Sequence, residues 1–186
     1  MTLLIIGLVL FFLPHVFATF RPARAAVIER VGENGYKGLF SIFALVGLGV
    51  IVWGKATAPF IHVYPPVVIG YKLIAPLMVV SFILIAGANM KTNIKRVTRH
   101  PMLWGVTLWA LAHLLVNGDL ASMLIFLTFL AYSLYDMVVA NMRGVTKATE
   151  AVAIKYDIIL VAAGTISAVV FAFAHRWLIG VPAIVG

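Results

Sequence analysis

The chain has 186 residues, of which 63% are hydrophobic and 11% charged, with a mean hydropathy of +1.10 and a formal net charge of +8. A water-soluble domain averages about 25% charged residues, so this composition excludes a soluble globular protein and makes lipid the solvent for most side chains. Cysteine is absent, which excludes disulfides, palmitoylation, thiolate haem ligation, cysteine-bound iron–sulfur clusters and cysteine-type zinc sites.

Apolar runs approach the roughly 20 residues that cross a bilayer's hydrocarbon as a helix. They predict an all-α, polytopic integral membrane helical bundle of about six transmembrane helices, forming one membrane domain over residues 1–186. In chain order the spans fall at 3–20, 38–54, 67–88, 102–116, 120–140 and 158–179. The first run has no basic residue before it and Arg21 and Arg24 directly after it, so it reads as an uncleaved helix and not as a signal peptide. Pro14 removes a backbone donor late in this helix and predicts a kink that turns His15 inward. A loop punctuated by Gly32 and Gly35 follows, and Gly47 and Gly54 then mark a packing face on the second span. Pro65 and Pro66 precede the third span. The fourth is short, and Asn117-Gly118-Asp119 predicts a tight hairpin into the fifth. Gly144 breaks the chain before the sixth span, where Gly164, Ala168 and Ala172 form a stripe of small residues suited to close helix contact. Trp53, Trp104, Trp177 and Tyr64 fall near span ends, where amphipathic rings anchor in the headgroup zone.

Basic residues set the orientation. Segments 21–37, 89–101 and 141–157 hold eleven of them: Arg21, Arg24, Arg30 and Lys37; Lys91, Lys95, Arg96 and Arg99; Arg143, Lys147 and Lys155. Only Lys55, Lys72 and Arg176 lie on the other side. Because positive loops are retained in the cytoplasm during insertion, both termini are expected outside, in the periplasm of a Gram-negative cell with the chain in its inner membrane. The isoelectric point near 10.1 is therefore a topological signal and not a nucleic-acid footprint.

Polar groups at or near membrane depth are costly and tend to be functional. Here they are His15, His100, His113 and Asp136, with Asn117 and Asp119 more peripheral. His113 lies one turn after Trp109 and one turn before Asn117, so the three share a face and Asn117 can orient the ring. Asp136, one turn after Tyr132, is expected to face the bundle interior near the cytoplasmic leaflet and to pair with His15, His100 or a loop cation. The structural alternatives are a His15 bonded to a neighbouring carbonyl and an Asp136 held by a loop arginine. His62 and His175 lie toward the outer interface and read as solvated or headgroup-facing.

The string TRHPMLWGVTLWALAHLLVNGD at 98–119, with PHVFATFRPAR at 14–24 and VGENGYKGLFSIFALVGLGVIVWG at 31–54, resembles the NnrU family of bacterial membrane proteins, and the likeness spans nearly the whole chain. That resemblance implies an association with denitrification, through nitrite or nitric oxide reduction. The family is in turn similar to plant 15-cis-ζ-carotene isomerase, a haem b enzyme acting on a hydrophobic polyene. Matched motif to motif, the isomerase's ligand histidines fall on His15 and His113, and the RHP histidine on His100. A cysteine implicated there as an alternate ligand, three residues before the second histidine, is replaced here by Ala110, so ligand switching through a thiolate is unavailable.

The resemblance thus implies bis-histidine haem b, with His15 and His113 as axial ligands to iron. At about 1.5 Å of rise per residue the two differ in expected depth by about 15 Å, which suits only a haem lying nearly parallel to the membrane. His15 with His100 is the fallback pair. Two other functions stay open. One is a non-catalytic accessory subunit for a nitric oxide or nitrite reductase. The other is methyl transfer, because RHP before a small-residue helix is similar to membrane methyltransferases of the isoprenylcysteine carboxyl type. Those carry adjacent glutamates in a later cytoplasmic segment, whereas residues 144–156 here offer only Glu150.

Overall fold

The computed structural model describes residues 1–183, whose elements are all α-helices, and whose contacts divide into two compact units, Met1–Ile61 and His62 to the C-terminus.

The first unit is a hairpin of α1 (Thr2–Thr19) and α2 (Arg21–Ala56). Glycines bring the two backbones together. A Cβ on Gly7 would stand 2.6 Å from the backbone nitrogen of Ile51, one on Gly47 2.5 Å from that of Phe11, and one on Gly54 2.5 Å from that of Leu4. No side chain fits at those distances, so the expected glycine face of the second span is a true crossing point. The segment expected as a loop between the first two spans is helical. Pro22 starts α2 in its first turn, where its missing N–H costs nothing, and Ala23, Ala25 and Ala26 favour the helix. Gly32 alone breaks it, at φ 76° and ψ 163°, a conformation that L side chains rarely adopt. Beyond it Glu33 and Lys37 pair at 2.8 Å one turn apart, so Gly35 sits inside a helix and not in a loop.

The second unit contains α3 (Gly70–Gly87), the single turn α4 (Ile94–Val97), α5 (Pro101–Val116), α6 (Leu120–Met142) and α7 (Lys155–Ile179). Helix α3 is central, packed on α5 and α7, and α5 also packs on α6. Small residues again set the distances. Gly164 on α7 lies against the Ile83 backbone, and Gly105 on α5 lies against Ser81 and Ile85 of α3. Fully buried Ser81 donates to the Gly105 carbonyl at 2.8 Å, a polar link in an interface that has no hydrophobic exclusion to drive it.

Among the described residues five helices, α1, α2, α3, α6 and α7, are long and apolar enough to cross a membrane. Helix α5 is apolar too but has 16 residues, about 24 Å at helical rise against a hydrocarbon core of about 30 Å. Large apolar side chains face outward, among them Leu45 at 69% and Phe173 at 70% exposure. That is tolerable only where the surroundings are acyl chains. Trp53 and Trp177 are exposed near helix ends, as interfacial anchors are.

The second unit is polarised end to end. At one end the segment before α5 and the segment before α7 are joined, with the Ala148 amide donating to the Lys95 carbonyl at 3.0 Å. This end carries Lys91, Lys95, Arg96, Arg99, Arg143, Lys147 and Lys155, while Lys72 and Arg176 lie toward the other. At that opposite end the extended stretch after Ile61 is tied to the α5–α6 turn, with Val63 N donating to the Gly118 carbonyl at 2.8 Å.

Candidate functional site

The last turns of α5 build the first histidine site. Nδ1 of His113 lies 2.8 Å from the Trp109 carbonyl, so it must be the protonated nitrogen, and the neutral ring then carries its lone pair on Nε2. The imidazole stacks on Phe126 of α6, with centroids 4.7 Å apart and planes 28° from parallel. Trp109 meets Phe126 and Phe129 edge-on and completes an aromatic wall. Asn117 was expected to orient the ring, but its side-chain amide donates instead to the His113 carbonyl at 2.9 Å. The same carbonyl also accepts from the Asn117 backbone amide at 2.9 Å, so residue 117 closes the end of α5 with both its main chain and its side chain. Asp119 caps α6, accepting from the backbone amide of Ser122 at 3.0 Å and its hydroxyl at 2.6 Å.

His15 repeats this chemistry in the first unit. Its Nδ1 lies 2.6 Å from the Phe11 carbonyl one turn earlier, its ring stacks on Phe11 at 4.4 Å, and Phe40 of α2 packs against it at 4.8 Å. The arrangement observed is the carbonyl-bonded histidine, with its ring packed against α2.

His100 differs. It precedes Pro101, which excludes it from the helix, and it forms the N-cap of α5 at φ −129° and ψ 60°. Its Nε2 donates to the Asn141 side-chain oxygen at 2.9 Å, an acceptor that Arg99 shares at 3.2 Å. Thirteen residues separate His100 from His113 on the same helix, about 20 Å along its axis, so these two cannot hold one metal. His100 instead lines a cavity of about 510 Å³ with Lys95, Arg99, Asp136 and Lys147. Asp136 lines the same cavity as His100 and the loop cations, but among the described residues it has no ion pair within 4.0 Å, so the expected pairing is not seen.

Sequence reasoning missed two groups. Asp157 in the first turn of α7 accepts from the hydroxyl of Thr92 at 2.7 Å and from the backbone and side chain of Asn93 at 2.8 and 2.6 Å. Asn93 also bonds the Val152 backbone in both directions. An acid opening an apolar span was the available signal. Tyr64, read only as an anchor, donates to the carbonyls of Leu114 and Asn117. Its burial and the nearby Asp119 carboxylate push its hydroxyl pKa up. His62 is exposed as expected, whereas His175 bonds through Nδ1 to the Val181 carbonyl beyond the end of α7.

Apolar helices with outward-facing apolar side chains, two of them carrying aromatic-packed histidines whose Nδ1 is fixed on a carbonyl, define a helical integral membrane protein. The family model described as NnrU protein matches residues 3–183, and the chain belongs to the NnrU family. Neither a curated protein nor a solved structure matches it.

Proposed function

We propose that this chain is a haem b-binding protein of a bacterial inner membrane that serves nitrogen-oxide reduction, with His113 and His15 as its imidazole ligands. The carrying observation is the shared Nδ1 bond of both rings to the carbonyl four residues earlier. Metal-binding histidines are typically oriented in this way, with the second nitrogen presented as the ligand. The donor set fits haem b, since imidazole is a strong axial ligand, and the aromatic surroundings of both rings suit a flat apolar macrocycle. His100 fits less well, because its Nε2 is already committed to Asn141. Ala110, fully buried where the related isomerase has a cysteine, removes thiolate exchange. The bound group would supply one-electron chemistry, while the chain's own part is to orient two neutral imidazoles and to exclude water from them.

The family's association makes nitrite or nitric oxide reductase machinery the partner class, and the basic end of the second unit is assigned to the cytoplasm, with both termini in the periplasm. A pyridine haemochrome spectrum of the detergent-purified chain tests the central point. His15→Ala and His113→Ala are each expected to lower haem occupancy severalfold, while His62→Ala, His175→Ala and His100→Ala retain a full Soret band. Absence of haem from protein made in haem-replete cells would refute the reading and leave the accessory-subunit function in its place.

A further inference from the structure

The cavity beside His100 serves no part of the haem reading, and its lining is of two kinds. Lys95, Arg99 and Lys147 supply cationic nitrogens, and Asp136 a single carboxylate. Apart from His100 and Thr146 the remaining wall is apolar and includes Met102 and Leu103. The polar walls are held in place. The Ala148 amide ties the segment bearing Lys147 to the Lys95 carbonyl, and Asn141 anchors both Arg99 and His100. Among the described residues none of the three cations has an ion pair within 4.0 Å, so the cavity holds an excess of positive charge over its one carboxylate.

We infer that this cavity is a binding site for the phosphate ester of an amphiphile carrying a hydroxyl donor, the chemistry of a phosphatidylglycerol headgroup or of a free glycerol phosphate. Arginine and lysine hold the phosphate oxygens, Arg99 through its planar fork. Asp136 accepts from the headgroup hydroxyl, which explains an acid among cations better than a phosphate alone would. The apolar wall takes the start of the acyl region. The volume of about 510 Å³ lies within the range of small-molecule sites, and a basic pocket at a charged end of a helical bundle is where anionic lipid headgroups collect. This inference does not depend on haem.

The full chain, purified in detergent, is titrated with dioleoyl phosphatidylglycerol, dioleoyl phosphatidylcholine and sn-glycerol 3-phosphate, and bound molecules are counted by native mass spectrometry. Saturable binding of phosphatidylglycerol over phosphatidylcholine is expected. Lys95→Gln with Lys147→Gln is expected to weaken it about tenfold. Lys91→Gln with Arg96→Gln removes the same charge from the same end outside the cavity, and should change it less than twofold. With dioleoyl phosphatidic acid, which has no headgroup hydroxyl beyond its phosphate, as a fourth probe, the wild type is expected to prefer phosphatidylglycerol and Asp136→Asn to lose that preference. Binding of glycerol phosphate as tightly as the lipid would support the site and assign it a soluble ligand. Equal losses in the two double variants would reduce the attraction to diffuse surface charge and overturn the inference, as would an absence of saturable binding to any phosphate probe.

Discussion

Tyr64 shows how much one side chain does at a junction. Its hydroxyl serves two carbonyls at the end of α5, Leu114 and Asn117, at the place where helix geometry leaves the last carbonyls without amide partners. Replacing it with phenylalanine removes the donor and keeps the ring. The expected cost is about 1 kcal/mol, the usual net worth of such a bond, read as a lower midpoint in thermal unfolding in detergent. The raised pKa adds a pH signature. The folded state holds the phenolic proton more tightly than the unfolded chain, whose tyrosine titrates near about 10. The stabilisation is therefore complete below that value and falls as pH rises through the folded one. Between pH 9 and 11 the wild type should lose stability more steeply than Tyr64→Phe. Parallel curves would show that the hydroxyl does not titrate as its surroundings imply.

Helix pairs in lipid are held by contact, and the α1–α2 crossing lets this be tested with one methyl group. A Cβ at Gly47 would fall 2.5 Å from the Phe11 backbone nitrogen, whereas Gly49, on another face of the same helix, has nothing within 4 Å. Gly47→Ala is expected to destabilise the hairpin by about 1–3 kcal/mol through overpacking. Gly49→Ala is expected to be neutral or to gain up to about 1 kcal/mol from helix propensity. Unfolding in graded denaturing detergent measures both. Similar effects at the two sites would mean that helix propensity, and not the crossing, governs the response. The stripe on α7 behaves likewise, because Gly164 meets the backbone of Ile83 on α3.

The expected orientation of the whole molecule in the membrane rests on asymmetric charge. Within the second unit seven basic residues gather at one end, against Lys72 and Arg176 toward the other. Reporter fusions test the orientation: alkaline phosphatase at the C-terminus should be active, and a reporter that fluoresces only in the cytoplasm should stay dark there. Fluorescence would invert the topology and move the cavity beside His100 to the periplasmic face.

Composition and hydropathy were sufficient for the class, the six apolar segments and the shortness of α5, because in lipid every backbone group must be bonded within its own helix, which makes a span a local property of the chain. The glycine crossing of α2 and the 117–119 hairpin were legible for the same reason, as spacing along one helix and as turn chemistry. The histidines could be singled out as costly polar groups, but not what their rings touch. Phe40 beside His15, Phe126 beside His113 and Asn141 beside His100 all come from other helices, and such partners have no trace in local spacing. The segment at 21–37 reads as a loop because its polarity resembles one, whereas its alanines and proline suit a helix that only Gly32 interrupts. Asn93 joined to Asp157 on α7, and Asp136 on α6 gathered with Lys95 and Lys147, bring together residues from separate segments. Only the packing of α3 against α5 and α7, and of α5 against α6, decides which loops meet, since that choice is made by surfaces in contact and not by any one segment's pattern.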